Sequence, residues 1–434
     1  MSKLREDIES RAAKVAVMGQ GYVGLPLAIE FAKVGFQVTG IDLDIEKVTA
    51  LNHGESHIPD VPSAIVGELV AAGRYRATSE MDALGECDAI IICVPTPLRK
   101  AKDPDISFVL SAATEVNRRL RAGQLIVLES TTYPGTTEEM LLPMFAEGGL
   151  KIGRDFFLAF SPERIDPGNE EFKVRDIPKV VGGISPECTR MAGLLYSQIV
   201  SRVLEVSSPT VAELAKLYEN TFRSVNIALA NEFALMCRCL GVSVWEVIEA
   251  AATKPFGFMP FSPGPGIGGH CIPIDPIYLS WKLRLNGYEA RFIALADDIN
   301  RSMPLQVVNL LMDGLNVRKK CLNGAQILIL GVAYKRGVGD LRESPALDVM
   351  KELQHKGAQV IYADPFVTNL GHEGLELPRV HVEPELVRRQ DAVVILTDHR
   401  EFDYGAVVEN ADLIVDSRNA TRGISAPDGR IIRL

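Results

Sequence analysis

The chain has 434 residues, a length that corresponds to about three domains at roughly 150 residues each. Hydrophobic residues make up 47% of the chain and charged residues 24%, and these values are typical of globular proteins rather than of collagen, coiled coils or disordered chains. The 46 Lys and Arg residues against 56 Asp and Glu residues leave a net charge of −10. This balance argues against a nucleic-acid-binding protein, which needs a basic face for phosphates.

The sequence favours neither export nor membrane insertion. No apolar run approaches the roughly 18 residues of a membrane span. Residues 1–7 carry charges where a signal peptide needs its apolar core. The seven cysteines are scattered and form no C-x-x-C pair, which is typical of reduced thiols. We therefore expect a cytoplasmic protein.

Residues 14–42 predict a strand, a helix and a second strand in succession. A short apolar run over 14–19 indicates a buried strand, residues 25–34 have helical spacing, and 36–41 is a second strand that ends at Asp42. Further strands are predicted at 89–94 and 125–128 with a helix between them. Strands that alternate with helices indicate a parallel sheet covered on both faces.

The middle of the chain is helical and the end repeats the beginning. From about 210 to 240 no Pro or Gly interrupts the pattern, which predicts a helix of about 30 residues. A strand at 325–331, a helix at 344–356 and a strand at 357–364 then repeat the opening unit, with Asp364 in the place of Asp42.

The sequence therefore predicts an α/β fold with two Rossmann-like, doubly wound domains joined by a helical central domain. We expect an NAD-binding domain at 1–205, a central domain at 206–310 and a second Rossmann-like domain at 311–434. In the second copy a longer, charged turn at 332–343 replaces the glycine turn. That turn predicts a ligand other than a dinucleotide pyrophosphate.

A dinucleotide site is indicated by the G-x-G-x-x-G pattern of Gly19, Gly21 and Gly24. The first two glycines permit a tight turn and a close backbone approach, the third lets the helix pack on the strand, and the pyrophosphate binds the helix N-terminus. Asp42 would bind a ribose hydroxyl and repel a 2′-phosphate. The pattern therefore favours NAD over NADP.

Cys271 is a candidate nucleophile. It lies in a loop over 255–276 that is rich in Gly and Pro, directly after Gly268-Gly-His270, with Asp275 nearby. A small buried apolar residue is the usual role of a single cysteine. Beside an NAD domain, however, a loop thiol suggests attack on an aldehyde and oxidation of the adduct to a thioester. His270 is a poor candidate base, because adjacent side chains rarely converge on one atom.

Two further groups of polar residues are candidates. Lys216 and Asn220 are four residues apart on the long predicted helix, where they form either a solvated face or a site for an oxyanion. Glu163 follows a strand predicted to end at residue 160, at the sheet edge where α/β proteins bind ligands. The seven histidines have no metal-ligand spacing, so we expect no metal.

Several motifs occur together in one order along the chain. They are GQGYVGLP (19–26), VPTP (94–97), ESTT (129–132), PGT (134–136), ELAKLYEN (213–220), GGHC (268–271) with Asp275, GVAYK (331–335), DLRES (340–344) and DSRN (416–419). With these motifs the chain resembles the UDP-glucose/GDP-mannose dehydrogenase family of nucleotide-sugar 6-dehydrogenases over nearly its whole length.

The resemblance implies a four-electron oxidation of a sugar C6 alcohol to a carboxylate, with two NAD⁺ reduced in turn, and a homodimer or dimer-based oligomer built on the long helix. It implies Cys271 as nucleophile, Asp275 with Lys216 and Asn220 for proton and oxyanion chemistry, Thr131 for positioning a water and Glu163 for thioester hydrolysis. The cofactor residues that it implies are Gly19, Gly21, Tyr22, Val23, Gly24, Asp42, Lys47, Thr96 and Arg342. The substrate residues that it implies are Arg164, Gly268, Tyr334, Lys335 and Arg418.

The sugar is the least defined part of this interpretation. Residues 161–168 read SPERIDPG where glucose-type members have a different pattern, which favours the branch that acts on UDP-N-acetylhexosamines. We expect UDP-N-acetylglucosamine, with UDP-N-acetylmannosamine and UDP-glucose as alternatives. Outside the family, the alternatives are a two-electron β-hydroxyacid dehydrogenase and a non-catalytic NAD-binding module.

Overall fold

The computed structural model describes residues 2–99, 103–164, 173–427 and 429–434. The chain divides into two compact units. The first comprises the residues up to 219 together with 277–287, and the second comprises 220–276 together with 288–434. The three boundaries expected from the sequence stay a prediction.

The first unit is built on a sheet that counts eight strands among the described residues. Its strands are β1 (Lys14–Met18), β2 (Gln37–Ile41), β3 (Tyr75–Thr78), β4 (Ala89–Ile92), β5 (Leu125–Leu128), β6 (Phe157–Phe160), β7 (Lys179–Gly183) and β8 (Val203–Val206). Their order is β3-β2-β1-β4-β5-β6-β7-β8. Neighbouring strands are parallel except β6 and β7, which are antiparallel.

Helices cover this sheet on both faces. They are α1 (Ser2–Glu9), α2 (Gly24–Lys33), α3 (Ile45–Asn52), α4 (Ser63–Ala71), α5 (Ser107–Arg118), α6 (Leu142–Ala146) and α7 (Pro186–Tyr196), with 3₁₀ turns at Met81–Glu86 and Val174–Asp176 and a π-helical turn at Thr137–Leu141. Val15 and Val17 belong to one apolar cluster and Ala16 and Met18 to another. Because successive side chains of a strand point to opposite faces, β1 is buried on both sides.

The helices that follow are α8 (Pro209–Leu240), α9 (Val244–Ala252), α10 (Asp275–Leu285) and α11 (Arg291–Val317). Helix α8 has 32 residues and confirms the long helix predicted from the sequence. The sequence prediction did not include α11, which carries Pro304 in its interior. A proline normally signals the end of a helix, so the sequence pattern does not predict one continuous helix here.

The second unit contains a parallel sheet with five strands among the described residues. They are β9 (Gln326–Leu330), β10 (Gln359–Ala363), β11 (Ala392–Ile395), β12 (Ile414–Asp416) and β13 (Ile431–Arg433), in the order β10-β9-β11-β12-β13. Its remaining helices are α12 (Pro345–His355), α13 (Pro384–Arg389) and α14 (Tyr404–Asn410), with a 3₁₀ turn at Gly371–Glu373. Ile327 and Leu328 face separate apolar clusters.

The predicted fold class is confirmed: both units are α/β structures with sheets covered on two faces. Within the described residues, no helix is long and apolar enough to cross a bilayer.

Candidate active site

The glycine turn of the first unit leaves room for a ligand. Gly19 has a φ of +88°, and a Cβ there would lie 2.4 Å from the Cys93 carbonyl oxygen, while a Cβ on Gly24 would lie 1.8 Å from the Gly19 carbonyl oxygen. A Cβ on Gly21 would meet nothing within 4 Å. The fold itself therefore requires Gly19 and Gly24, whereas Gly21 borders open space at the N-terminus of α2, where a pyrophosphate binds in this kind of turn.

Asp42 directly follows β2 and holds this turn in place. Its Oδ2 accepts from the Gln20 backbone N–H at 2.8 Å and from the Lys47 ammonium at 3.1 Å. Although burial raises its pKa, the hydrogen bonds from Gln20 and Asp44 and the charge of Lys47 lower it overall. The carboxylate is therefore ionised at neutral pH, as repulsion of a 2′-phosphate requires. Lys47, a predicted cofactor residue, lies on α3 against this carboxylate.

The other predicted cofactor residues of this unit lie near the same sheet edge. Tyr22 and Val23 directly precede α2 and are partly exposed. The Thr96 carbonyl follows β4 and accepts a 2.9 Å hydrogen bond from the Tyr278 hydroxyl. The strand order makes β1 and β4 neighbours, so these segments follow adjacent strands at the point where the order reverses, which is where open α/β sheets bind ligands.

Glu163 belongs to a buried ionic cluster that the sequence analysis did not identify. Lys179 donates to Glu163 Oε2 at 2.9 Å and also to Glu129 Oε1. The Tyr196 hydroxyl donates to Glu129 Oε2. Burial raises the pKa of Glu129 to about 8, because the charge of Lys179 only partly offsets the loss of water and Glu163 adds to the rise. Burial lowers the pKa of Lys179, but the two carboxylates raise it more, so the net shift is upward.

Arg164 forms an ion pair in this structure. Its Nη2 donates to Glu219 Oε1 at 2.6 Å, and its Nη1 donates to the Pro178 carbonyl at 2.7 Å. The four residues after it (165–168), on which the choice of sugar partly rests, lie outside the described residues. Arg164 therefore stays a predicted substrate residue, and in this structure its guanidinium pairs with the Glu219 carboxylate.

Lys216 and Asn220 are both buried, with 9% and 4% of their surface exposed. Burial excludes the solvated-face interpretation of this part of α8. Within the described parts of the chain, the structure assigns no hydrogen bond or ion pair to the Lys216 side chain. A buried ammonium without a protein partner is costly, and such groups are common at functional sites.

Glu213, one turn before Lys216, attaches α8 to the segment after Thr131. Its carboxylate accepts from the backbone N–H groups of Gly135 and Thr137 at 2.6 and 3.0 Å and from the Thr137 hydroxyl at 2.7 Å. Thr131 itself is partly exposed just beyond β5. The motif containing Glu213 was noted in the sequence, but its role as an anchor depends on this contact.

Cys271 precedes the first turn of α10 in the second unit. Its carbonyl accepts from the Asp275 N–H at 2.8 Å, and its side chain is partly exposed. The Asn220 amide donates to Asp275 Oδ2 at 2.5 Å, and both side chains are buried. Partial exposure of the thiol argues against the role of a small buried apolar residue. The helix begins at Asp275, slightly before the end of the predicted loop.

The glycines before Cys271 let its loop contact the second Rossmann turn. A Cβ on Gly268 would lie 2.6 Å from Tyr334 Cβ, and one on Gly269, where φ is +89°, would lie 2.9 Å from the Tyr334 ring. The Gly269 N–H donates to the Arg342 carbonyl at 3.0 Å, and the Arg342 guanidinium pairs with Asp340 at 2.6 Å. The structure thus brings together Gly268, Tyr334 and Arg342.

A basic cavity of about 550 Å³ lies beside this region in the second unit. Four arginines line it with Glu249, Asp398 and several aromatic side chains: Arg336, Arg400, Arg418 and Arg422. Burial and the charge of Arg336 lower the pKa of Arg418 to about 10. The size of the cavity is typical of small-molecule sites, and its four guanidinium groups against two carboxylates suit a phosphate ligand. Of the predicted substrate residues, Arg418 lines the cavity, whereas Lys335 is partly buried and is not one of the lining residues.

Three family models match the chain and divide it in order. The NAD binding domain of the UDP-glucose/GDP-mannose dehydrogenase family matches residues 13–200, the central domain of that family matches 210–302, and its UDP binding domain matches 328–423. The chain belongs to the UDP-glucose/GDP-mannose dehydrogenase family. It is an NAD-dependent nucleotide-sugar dehydrogenase, and the resemblance found in the sequence is confirmed.

Relatives of this dehydrogenase differ in the sugar that their names give. The UDP-N-acetyl-D-glucosamine 6-dehydrogenase of Pseudomonas aeruginosa is 39% identical over 82% of this chain and 83% of its own length. The UDP-N-acetyl-D-mannosamine dehydrogenase of Pyrococcus horikoshii is 37% identical over 97% of this chain and 98% of its own. The solved structure of the Pyrococcus horikoshii UDP-D-ManNAc dehydrogenase superposes with a TM-score of 0.88 at 35% identity, over 97% of this chain and 98% of that one.

The two Rossmann turns of this dehydrogenase use their terminal aspartates differently. Asp364 accepts from the Val332 and Ala333 N–H groups at 2.7 and 3.2 Å and pairs with the buried His399. In the first unit the Gln20 N–H of the corresponding turn donates to Asp42. The second turn is therefore closed by its own carboxylate, which fits the expectation that it binds something other than a dinucleotide.

Sequence reasoning missed the arginines at 336, 400 and 422 and the residues Glu129, Lys179 and Tyr196. A high density of cations in the second turn was visible in the sequence, whereas the buried cluster had no such signal. In the part of the chain that the structure describes, no group of His, Cys, Asp and Glu side chains is arranged to hold a metal ion.

Proposed function

We propose that the enzyme carries out a four-electron oxidation of the C6 hydroxyl of a UDP-N-acetylhexosamine to the carboxylate, with UDP-N-acetylglucosamine as the favoured substrate. UDP-N-acetylmannosamine is the first alternative, because the relatives named above are named for either acetamido sugar. UDP-glucose is the second alternative. The observation that carries this proposal is the partly exposed Cys271 thiol in the turn before α10, with the buried Asn220–Asp275 pair next to it in the fold.

Cys271 would join the two oxidation steps covalently. Its thiolate attacks the aldehyde carbon produced by the first oxidation, and the second oxidation converts the resulting thiohemiacetal to a thioester. The reactive aldehyde is then never released. Bound NAD⁺ supplies the hydride acceptor for both oxidations.

The remaining predicted catalytic residues move or stabilise charge. The buried ammonium of Lys216 favours alkoxide character on the substrate oxygen, and the Asn220 amide with Asp275 serves the oxyanion and proton chemistry at the thiol. Thr131 holds a water, and Glu163 takes its proton during hydrolysis of the thioester.

The cofactor and substrate residues keep the roles that the family resemblance implies. Tyr22, Val23, Thr96, Lys47 and Arg342 serve NAD together with the glycine turn and Asp42. For the substrate, the cavity that Arg418 lines supplies guanidinium groups for a diphosphate. Tyr334 and Lys335 belong to the charged turn at 332–343.

We also propose that the enzyme is a homodimer built on α8. Large apolar side chains are exposed along this helix at spacings of three, four and seven residues, which is the pattern of a helix seam. They are Val211, Leu214, Tyr218, Phe222, Leu229, Phe233, Met236 and Leu240. A cytoplasmic location belongs to the same proposal, because a reducing compartment keeps the Cys271 thiol available.

The stoichiometry of NADH release tests this function. A panel of UDP-sugars is assayed with wild-type enzyme, with Cys271→Ser and with Cys239→Ser, which alters an exposed cysteine. We expect two NADH per uronate formed with wild type and Cys239→Ser, and no uronate with Cys271→Ser. One NADH per substrate would establish a two-electron dehydrogenase instead. NAD binding without turnover of any sugar would favour a binding module.

A further inference from the structure

The antiparallel strand β7 brings a lysine to the carboxyl end of the first sheet. Ala159 pairs with Gly183 and Phe160 with Gly182, and this register, continued past the end of β6, sets Glu163 opposite Lys179. Because β5 and β6 are parallel neighbours, Glu129 follows β5 at the same edge. The fold therefore places one lysine between two carboxylates that come from separate loops.

This cluster is almost completely removed from solvent. The exposed fraction of the side chain is 7% for Lys179, 0% for Glu129 and 10% for Glu163. Lys179 donates to both carboxylates, the Arg164 N–H donates to Glu163 Oε1 at 2.7 Å, and the Tyr196 hydroxyl donates to Glu129. Glu129 is the inner member, and Glu163 is the member nearer to solvent.

The charges of the cluster do not balance. Among the described residues this cluster holds one ammonium and two carboxylates, and a net charge of −1 in a buried site is strongly unfavourable. A pair of close carboxylates relieves this cost by holding one proton between them. Within the described part of the chain, Glu129 faces Lys179 from β7, Tyr196 from α7, Glu163 after β6 and the Cys93 thiol after β4, and Lys179 is the cation of this group.

We propose that Glu129 and Glu163 share one proton across Lys179, and that Glu129 and Lys179 are positioning residues that keep Glu163 ionised and able to act as a base. The role assigned to Glu163 rests on the proposed function, whereas the shared proton rests on the cluster alone. The side chain of Glu129 is 0% exposed and that of Glu163 is 10% exposed, and this difference in burial places the proton on Glu129 and the charge on Glu163.

The arrangement fits the hydrolysis step. Water gives its oxygen to the acyl carbon, the carbon–sulfur bond breaks, Cys271 leaves as a thiolate, and the proton from water goes to the Glu163 carboxylate. No oxidant or reductant takes part. If the proton were instead on Glu163 before the reaction, the residue could not accept another, and hydrolysis would lose general-base assistance, which is typically a factor of about 10² to 10⁴.

An infrared titration of the whole enzyme tests the shared proton without reference to activity. We expect the carbonyl stretch of a protonated carboxylic acid at neutral pH in wild type, its loss at alkaline pH, and its absence in Glu129→Gln. Glu213→Gln is the matched control, because Glu213 is a second buried glutamate, and it should keep the band. A wild-type enzyme without a band that depends on Glu129 would overturn the proposal.

Rates of acyl-enzyme hydrolysis test the positioning role. Lys179→Met should slow hydrolysis at neutral pH by at least about tenfold and recover as pH rises, because Glu163 then binds a proton more tightly. Lys179→Arg should stay within about threefold. Equal losses at every pH would mean a structural role only and would contradict the proposal. The two proposals can fail separately. If the infrared band depends on Glu129 but the enzyme forms no thioester, the proposed function is refuted and the shared proton is not.

Discussion

The Asn220 amide donates to the Asp275 carboxylate, and both side chains are buried beside the turn that carries Cys271. This hydrogen bond joins α8 to the first turn of α10, and these two segments and the turn before α10 carry the predicted catalytic residues of the second unit. A substitution in it should affect chemistry more than folding.

Replacement of the donor tests the pair. Asn220→Asp sets two carboxylates in contact, which disfavours ionisation of both. We expect NADH formation to fall at least about 10²-fold at neutral pH and to recover partly at lower pH, where one carboxyl is protonated. Asn226→Asp on the same helix is the control, because the Asn226 amide is exposed and donates to the Phe222 carbonyl of its own helix, and this variant should keep at least half the activity. Equal pH profiles for both variants would contradict the assignment.

The first two glycines of the glycine turn should respond differently to alanine. At Gly19 the new Cβ would lie 2.4 Å from a carbonyl oxygen at a φ of +88°, so thermal unfolding should occur at a lower temperature, corresponding to about 1–3 kcal/mol. At Gly21 nothing lies within 4 Å, so Gly21→Ala should leave stability within about 0.5 kcal/mol and weaken NAD binding at least about tenfold. Unchanged NAD affinity in Gly21→Ala would exclude close approach of the cofactor there.

Cofactor choice should depend on Asp42. Asp42→Asn removes the charge that repels a 2′-phosphate and leaves the Lys47 ammonium without its partner, so the ratio of kcat/KM for NADP⁺ to that for NAD⁺ should rise at least about tenfold. Asp44→Asn, which changes the N-cap of α3, controls for a general disturbance of the loop. A ratio that changes equally in both variants would argue against a specific role of Asp42.

The arginine cavity should determine affinity for the nucleotide. Arg418→Met removes one of four guanidinium groups that line it, and we expect UDP to bind at least about tenfold more weakly, with a shallower dependence on salt. Arg388→Met alters an exposed arginine on α13 and should have no effect. Calorimetric titration with UDP measures both, and equal affinities would place the nucleotide elsewhere.

Stability should depend on pH through Glu129. Burial raises its pKa above the value in the unfolded chain, so the folded state prefers the protonated form. Its contribution is full at acidic pH and is lost as pH rises through about 8. The amide of Glu129→Gln cannot ionise. Between pH 6 and pH 9, the melting temperature of Glu129→Gln should therefore rise relative to that of wild type. A difference that does not change with pH would contradict the raised pKa.

Much of the fold was predictable because its signals are local. A strand, a glycine turn and a helix lie within residues 14–34, and the long apolar and polar pattern of α8 has no breaker in it. Helix α11 was missed because Pro304 is a local breaker that packing overrides. Cys271 could be named as the candidate nucleophile from the sequence because Gly and Pro around a thiol are unusual, and its partial exposure is compatible with that role.

The sequence by itself determined the family, the cofactor, the two strand–helix–strand units and the identity of the candidate nucleophile, since each depends on the spacing of nearby residues. The tertiary structure decided which distant residues meet. Lys179 lies 50 positions from Glu129, and only the reversed direction of β7 brings them together; likewise, four arginines converge on one cavity because separate loops end at one sheet edge. Such contacts depend on strand order and direction, which the spacing of residues along the chain does not encode.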